Sequence, residues 1–389
     1  MSAPARVALV HDWLTGMRGG ERVLERVARC FPDADLHTLV WSRGKVSAEL
    51  ERHRIVTSFL DKLPAADTHY RWFLPLFPRA IESLDLSGYD AVVSTSHAVA
   101  KGVRTPPGVP HVSIVFTPMR YVWDLEDQYF PPGRFPWPIA GYVRGVCERI
   151  RRWDRATATR PTHLVAISRH VAERIHRHWG RDSEVVFPHV DVERFTPGTG
   201  SRDYYLLAGA FAPYKRLDLA LQAFAKLQRP LVVVGGGQES DALHAMAPRG
   251  TEFRSGVSDA ELSRIFAGAR ALIFPGEEDF GIMPLEAMAS GTPVIAFGRG
   301  GAVETVGRGA SAGTLAKISA GGHARVPGGM LFGTQTADAV AAAVNAFERE
   351  TFDPHALARL AEPFSGERFD REIRAVFVRA GITPAAAAR

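Results

Sequence analysis

The sequence predicts an α/β protein made of two domains, each a parallel sheet covered by helices. Three observations carry the prediction. Short apolar runs alternate with stretches of helical periodicity along most of the chain, the pattern of strands joined by crossover helices. The chain has 389 residues, enough for two cores. Midway, residues 183–195 (S-E-V-V-F-P-H-V-D-V-E-R-F) read as a strand with an irregular, Pro-containing exit, and the alternation then starts again. The expected division is 1–190, 191–366 and a closing helical segment 367–389. Hydrophobic content of 46% and charged content of 23% are those of a soluble globular protein.

In the first domain, V-A-L-V (7–10) is a strand, followed by a turn from His11 to Gly20 and a helix with Val23, Leu24, Val27 and Phe31 on one face. Strand, glycine-rich turn and helix form a phosphate-friendly arrangement, and Gly19-Gly20 lets a ligand come close to the backbone. An ordinary tight turn fits the same residues. Apolar runs at 36–41, 91–93 and 111–116 are the next strands. Residues 69–76 (H-Y-R-W-F-L-P-L) are unusually aromatic and read either as a packed helix or as an exposed lip. Ser96, His97 and Lys101 follow the 91–93 run, and Thr117, Arg120 and Asp124 follow Phe116. Ligands of open parallel sheets collect outside strand carboxyl ends, so both loops are candidates. His97 as a structural histidine and Arg120 as a surface arginine remain alternatives. T-H-L-V-A-I-S-R-H-V-A-E-R-I gives a strand, a Ser168 cap and a helix.

The second domain opens with a strand at 205–209 and a helix striped by Leu217, Ala220, Leu221 and Phe224. L-V-V-V-G-G-G (231–237) is a buried strand ending in glycines, and S-D-A-E (258–261) is a capping box. The stretch F-P-G-E-E-D-F-G-I-M-P-L-E-A-M-A-S-G-T-P-V-I-A (274–296) organises the rest. It reads as a strand at 271–274, a loop, a short helix and a second strand at 293–296. Pro284 suits the first helical position and Gly291 the position just past the end, which puts Leu285 and Glu286 in the first turn. Unpaired N–H groups and the positive end of the dipole there attract a phosphate. Glu278 and Glu286 beside it are acceptor-only carboxylates, suited to sugar hydroxyls. A glycine-rich turn at 298–301 and weaker helices complete the chain. A ligand cleft between the two facing domains is the default expectation.

Glu278-x7-Glu286, with Phe280-Gly281, Pro284 and A-S-G-T-P-V-I-A attached, resembles the retaining GT-B glycosyltransferases of family GT4. The resemblance implies two Rossmann-like domains whose parallel sheets face across a central cleft. Nucleotide-sugar donor would bind the second domain, a glycan or lipid-linked acceptor the first, and the last helix would cross back onto the first domain. Glu286 would hold the ribose hydroxyls and Glu278 the donor sugar. The G-G-E at Gly19, Gly20 and Glu21 matches the first loop facing the donor phosphates. In G-A-F-A-P-Y-K-R-L-D (209–218), Lys215 stands at the family's diphosphate lysine; the usual arginine position is Ala210, with Arg216 the nearest replacement. Lys215, Arg216 and the N–H groups around Gly281, Ile282 and Met283 would then neutralise a departing diphosphate. His97 and Arg120, with Glu278 and Lys215, form the expected catalytic set. The loops around His97 and Arg120 look like those of a branch that builds bacterial surface polysaccharides, often from GDP-mannose. The family commonly carries a histidine where this chain has Phe116, touching the outer hydroxyl of the donor sugar. Phenylalanine offers no hydrogen bond, so either the donor lacks that hydroxyl, as a 6-deoxyhexose or pentose does, or His97 substitutes. A UDP-sugar donor, a sugar-nucleotide epimerase or hydrolase, a non-catalytic sugar-nucleotide or glycan-binding module, and a peripheral membrane scaffold are the rival readings.

No metal or other cofactor is implied. Asp33-Ala34-Asp35 has D-x-D spacing but precedes a strand rather than a nucleotide loop. A pI of about 9.3 hides an uneven distribution: Arg134, Arg144, Arg149, Arg151, Arg152, Arg155 and Arg160 crowd one segment with Trp137, Tyr142 and Trp153. A solvated helix and a contact with an anionic membrane face both fit, and no nucleic-acid module is present. No apolar run reaches transmembrane length, M-S-A-P-A-R enters the first strand too early for a signal peptide, and Cys30 and Cys147 are far apart. The expected place is the reducing cytoplasm, with peripheral contact at the inner membrane face.

Overall fold

The computed structural model describes residues 5–386 apart from 132, 134, 135, 199 and 201, so Arg134 lies outside the described residues. The chain divides into two units, Met1–Pro188 with Phe369–Arg389, and His189–Arg368. In the first, seven parallel strands form one sheet: β1 (Val7–His11), β2 (Asp35–Thr38), β3 (Ile55–Thr57), β4 (Ala91–Ser96), β5 (His111–Val115), β6 (His163–Ala166) and β7 (Glu184–Val185). Their order is β3-β2-β1-β4-β5-β6-β7. The second sheet comprises β8 (Tyr204–Ala210), β9 (Leu231–Gly236), β10 (Glu252–Arg254), β11 (Ala269–Phe274), β12 (Val294–Phe297), β13 (His323–Val326) and β14 (Gly329–Phe332). Its order is β10-β9-β8-β11-β12-β14-β13, parallel except for the β13–β14 pair.

Both orders share one property. The chain runs outward from the first strand, then returns to its other side, so the order reverses between β1 and β4 and again between β8 and β11. Helices on opposite faces diverge there and leave a crevice at the strand carboxyl ends, where ligands of this architecture bind.

The central strands are buried on both faces, which is why they read as continuous apolar runs rather than alternating ones. The helix Gly19–Ala28 buries Val23, Leu24 and Val27, and Leu217–Leu227 buries Leu217, Ala220, Leu221 and Phe224, as the periodicity predicts. Ser168 caps Arg169–Trp179 by accepting from the Val171 N–H, and Ser258 caps Asp259–Gly268. The helix Gly366–Arg379 packs Phe377 edge-on against Phe31 (5.0 Å between centroids). Arg26 adds a two-pronged pair to Asp370 at 2.9 and 2.7 Å.

Several local expectations are corrected. The helix after β11 is Ile282–Ala289, two residues earlier than Pro284 suggested, because Gly281 adopts φ +88° and caps it. Glu286 therefore sits in the second turn rather than the first. Gly19 and Gly20 are the first helical residues, not a turn, and Arg18 is the cap. Ser96 ends β4 instead of following it. Only Glu184–Val185 of the 183–195 stretch pairs as a strand. Residues 69–76 satisfy both readings: Tyr70 is buried in a 3-10 turn, Tyr70–Leu76, while Trp72 is 77% exposed. Among the described residues no helix is long and apolar enough to cross a membrane.

Candidate functional site

In the second unit, the β8–β11 switch point gathers the strongest sequence signals. After β8 the chain makes a short 3-10 turn, Pro213–Lys215, and Arg216 takes φ +52° before the next helix starts. After β11 come Gly276 and the loop 277–280. The two segments are pressed together: a Cβ on Gly276 would lie 2.8 Å from Lys215 Cα, so this glycine is what admits the lysine turn. Lys215 Nζ pairs with Glu278 Oε1, both side chains about 85% buried (16% and 13% exposed). The Lys215 ammonium also lies 5.7 Å from the centre of the Phe274 ring and 5.5 Å from that of Tyr214. Arg216 is engaged two-pronged by Asp218 at 3.1 Å and reaches Gln335, whose amide donates to the Pro275 carbonyl at 2.9 Å.

A second support lies behind the loop. The Gly301 N–H donates to the Glu278 carbonyl at 2.8 Å, and a Cβ on Gly301 would collide with the Phe280 backbone. Phe280 turns its ring inward against Phe364. No side chain caps Ile282–Ala289, so its leading N–H groups have no intrahelical partner. Pro284 has no N–H, which leaves Ile282 and Met283 as the leading donors. Glu286 is partly buried one turn along. A cation, a carboxylate and a helix start that no side chain caps thus meet at the β8–β11 switch point, an arrangement that suits a diphosphate next to hydroxyl groups.

In the first unit, the β1–β4 switch point holds a buried polar cluster. The Asp12 carboxylate is fully buried and accepts four backbone N–H bonds, from His97, Ala98, Val99 and Ala100, at 2.6–2.9 Å. His97 Nδ1 lies 3.2 Å from the same carboxylate. Burial holds the His97 imidazole below its usual range despite the opposing pull of Asp12. The Arg18 N–H donates to Glu21 at 3.1 Å, and the other Glu21 oxygen is 3.9 Å from His11 Nε2. Burial works against the Glu21 charge, yet the contacts from His11, with His97 beyond, carry its carboxyl below the ordinary value. Phe116 fills the space above Gly20: a Cβ there would be 3.3 Å from its ring. Glycine at 20 therefore accommodates an aromatic ring.

Other sequence candidates are placed differently. Lys101 points into the core, fully buried, paired with Asp154 at 3.0 Å and bonded to Thr157, so it does not face a ligand. Asp124 and Thr117 are taken up by Arg174, with His178 also on Asp124. Burial opposes ionisation of Asp124, but His178 and Arg174 hold its carboxyl well below the usual range. Arg120 is partly buried in the same loop. Asp35 of the D-x-D spacing opens β2 at its amino end, away from the crevice, and accepts from Tyr89. Among the described residues no group of three or more His, Cys, Asp or Glu could hold a metal ion. Sequence reasoning missed Asp12, whose sole signal is its place one residue past the first strand. It also missed Gly276 and Gln335, which act through residues far away in sequence.

Comparison with known proteins bears on the family and the fold. Residues 17–194 match the family model "Glycosyltransferase Family 4" and residues 191–359 match "Glycosyl transferases group 1". A D-inositol 3-phosphate glycosyltransferase of Streptomyces bingchenggensis is 33% identical over 36% of this chain and 38% of its own length. The O-antigen chain mannosyltransferase RfbU of Salmonella typhimurium is 29% identical over 58% and 61%. A GDP-mannose-dependent alpha-mannosyltransferase of Mycolicibacterium smegmatis is 31% identical over 39% and 41%. The chain thus spans less than two thirds of the length of each of these relatives. The crystal structure of Anabaena Alr3699/HepE in complex with UDP superposes with a TM-score of 0.66 at 16% identity, covering 96% of this chain and 100% of that one. With one family model on each Rossmann-like sheet and a full-length fold match, the chain belongs to the GT4-like glycosyltransferases of the GT-B fold.

Proposed function

We propose that the protein is a retaining, metal-independent glycosyltransferase that moves a sugar from a nucleotide-sugar donor, GDP-mannose in first place, to a glycan or lipid-linked glycan acceptor. The observation that carries the reading is the Lys215–Glu278 pair beside the start of Ile282–Ala289, which no side chain caps. Lys215, Arg216 and the Ile282 and Met283 N–H groups neutralise the departing diphosphate, Glu278 orients the donor sugar, and Glu286 accepts from the ribose. His97 and Arg120 act on the transferred sugar, and Gly19 is the glycine left to admit the donor phosphates, since the Phe116 ring takes the space at Gly20. Catalysis is then mostly positioning and electrostatic stabilisation of the leaving group. The Salmonella mannosyltransferase supports mannose, and the GDP-mannose-dependent enzyme of Mycolicibacterium supports mannose and guanine. The Phe116 ring against Gly20 favours a second reading, a donor without the outer hydroxyl. The UDP bound to HepE keeps a UDP-sugar in play.

Peripheral contact with an anionic membrane belongs to the same proposal. Trp137 (87% exposed), Ile139 and Tyr142 project from the start of the helix Trp137–Thr157, with exposed Arg144 and Arg149 following. Arg151, Arg155 and Arg160 instead bond within the protein, to Glu126, the His178 carbonyl and Glu82.

Thermal shift with GDP, UDP, ADP and dTDP and their sugar conjugates tests the donor class, because a ligand of the folded state raises the melting temperature. Selective stabilisation by GDP and GDP-mannose is expected. No response to any nucleotide would overturn the reading. Turnover unaffected by EDTA is the companion expectation for metal independence.

A further inference from the structure

The β1–β4 switch point contains a carboxylate that touches no substrate in the reading above, yet is held by four backbone N–H groups. Asp12 is fully buried and takes four N–H donors from the turn that begins at His97. An ionised carboxylate is acceptor-only. It therefore favours a hydrogen on the ring nitrogen that faces it at 3.2 Å, His97 Nδ1. In a neutral imidazole the other nitrogen is then an acceptor. The His97 side chain is 28% exposed, so its ring reaches the surface beside the fully buried carboxylate. His11 differs: its Nε2 is buried without a hydrogen-bond partner, and its Nδ1 lies 2.7 Å from Thr95 Oγ1. Trp13 packs edge-on against the His97 ring at 4.3 Å and Phe116 lies 6.3 Å away, so apolar walls hold the ring without competing for Nε2.

We propose that Asp12 is a positioning residue for His97: it fixes the Nδ1–H tautomer and so presents Nε2 as the acceptor for a sugar hydroxyl O–H at the carboxyl end of the first sheet. Phe116 supplies shape at this place and His97 supplies the polar contact. The inference rests on the sugar-transfer reading for the nature of the hydroxyl. The hydroxyl belongs either to the donor sugar or to the acceptor sugar, and the chemistry at Nε2 is the same. The charged and titratable groups facing His97 are Asp12 and His11 from the end of β1, and Arg18 and Glu21 from the start of the following helix. Burial outweighs them and keeps the ring neutral, hence able to accept, near neutral pH.

Two-bond proton–nitrogen spectra of the nitrogen-15-labelled protein read histidine tautomers directly, with His97 assigned by its loss in H97Q. The wild type should show His97 as the Nδ1–H tautomer, and D12N should lose that preference and shift the ring's titration midpoint further down. An Nε2–H tautomer in the wild type overturns the proposal, a reading that needs no variant and survives if D12N fails to fold. An unchanged tautomer in folded D12N overturns it equally. The ligand arm uses GDP, GDP-mannose, UDP-glucose and methyl α-mannoside, each first checked for binding by thermal shift. A response of Nε2 to a nucleotide sugar but not to its nucleotide assigns the donor hydroxyl, and a response to methyl α-mannoside assigns the acceptor hydroxyl. Binding of these sugars with Nε2 unmoved refutes hydroxyl recognition. If none binds, the sugar-transfer reading fails separately, and the tautomer still decides the role of Asp12. In turnover, kcat/KM should fall as pH drops below the usual histidine range. H97Q should lower it about tenfold to a hundredfold and abolish that fall, which a merely structural role would not do.

Discussion

Replacing Lys215 with methionine tests the diphosphate site most directly, because the length of the side chain is kept and its charge is lost. A unit charge about 4 Å from another, at the effective dielectric of about 20 that suits protein sites, is worth about 4 kcal/mol. Arg216 and the start of Ile282–Ala289 remain, so the loss is nearer that of a hydrogen bond to a charged group, about 1.5–3 kcal/mol. That corresponds to roughly 10- to 150-fold in GDP affinity. The partner change has the opposite sign. Glu278 occupies the ammonium before any phosphate arrives, so E278Q frees Lys215 and removes a negative neighbour of the diphosphate. It should tighten GDP while lowering turnover, since the sugar loses its orienting carboxylate. Titration calorimetry with GDP on the three proteins reads both effects. If K215M binds GDP within about twofold of the wild type, or if both variants move affinity the same way, the assignment of Lys215 to the diphosphate is wrong.

Other outcomes follow from the same structure. E286A should abolish nucleotide-sugar turnover; full activity would refute its role. K101M should cost about 3–5 kcal/mol by leaving Asp154 buried without its cation, seen as a melting transition lowered by roughly 10 °C. His37 and His111 are pushed down to about 4 and about 3, by burial first. In each case the folded form binds its proton less readily than the unfolded chain, so the stability is complete above about pH 6.5 and is lost progressively as pH falls from there to those values. Each contributes on the order of 3–5 kcal/mol, and acid unfolding of H37Q or H111Q should begin at lower pH than in the wild type.

What could be read from the sequence was what the chain keeps local. Glu278, Gly281 and Glu286 lie within nine positions, and the helix, its cap and the flanking strands all leave their marks in that window. Lys215 was legible because a strand end and a helix start bracket it. Its contact with Glu278 was not, since 63 positions separate them and only Gly276 makes room for the approach. Asp12 was silent for a similar reason: its four donors come from a turn 85 to 88 positions away. Lys101 misled because a cation just past a strand resembles a ligand contact, whereas two tryptophans and Asp154 draw it inward. Gly19-Gly20 misled because two glycines suggest a turn, while the space that glycine leaves at position 20 is filled by the Phe116 ring.

The return of Phe369–Arg389 to the first unit has a consequence for synthesis. Phe31 finds Phe377, and Arg26 finds Asp370, only after some 340 intervening residues have been made. The N-terminal half therefore leaves the ribosome with one helix face uncovered and waits for the far end of the chain to close it. The second unit, contiguous from His189 to Arg368, has no such delay. In a growing chain the later half can be finished first, and a stop before the last helix would leave the earlier half permanently open.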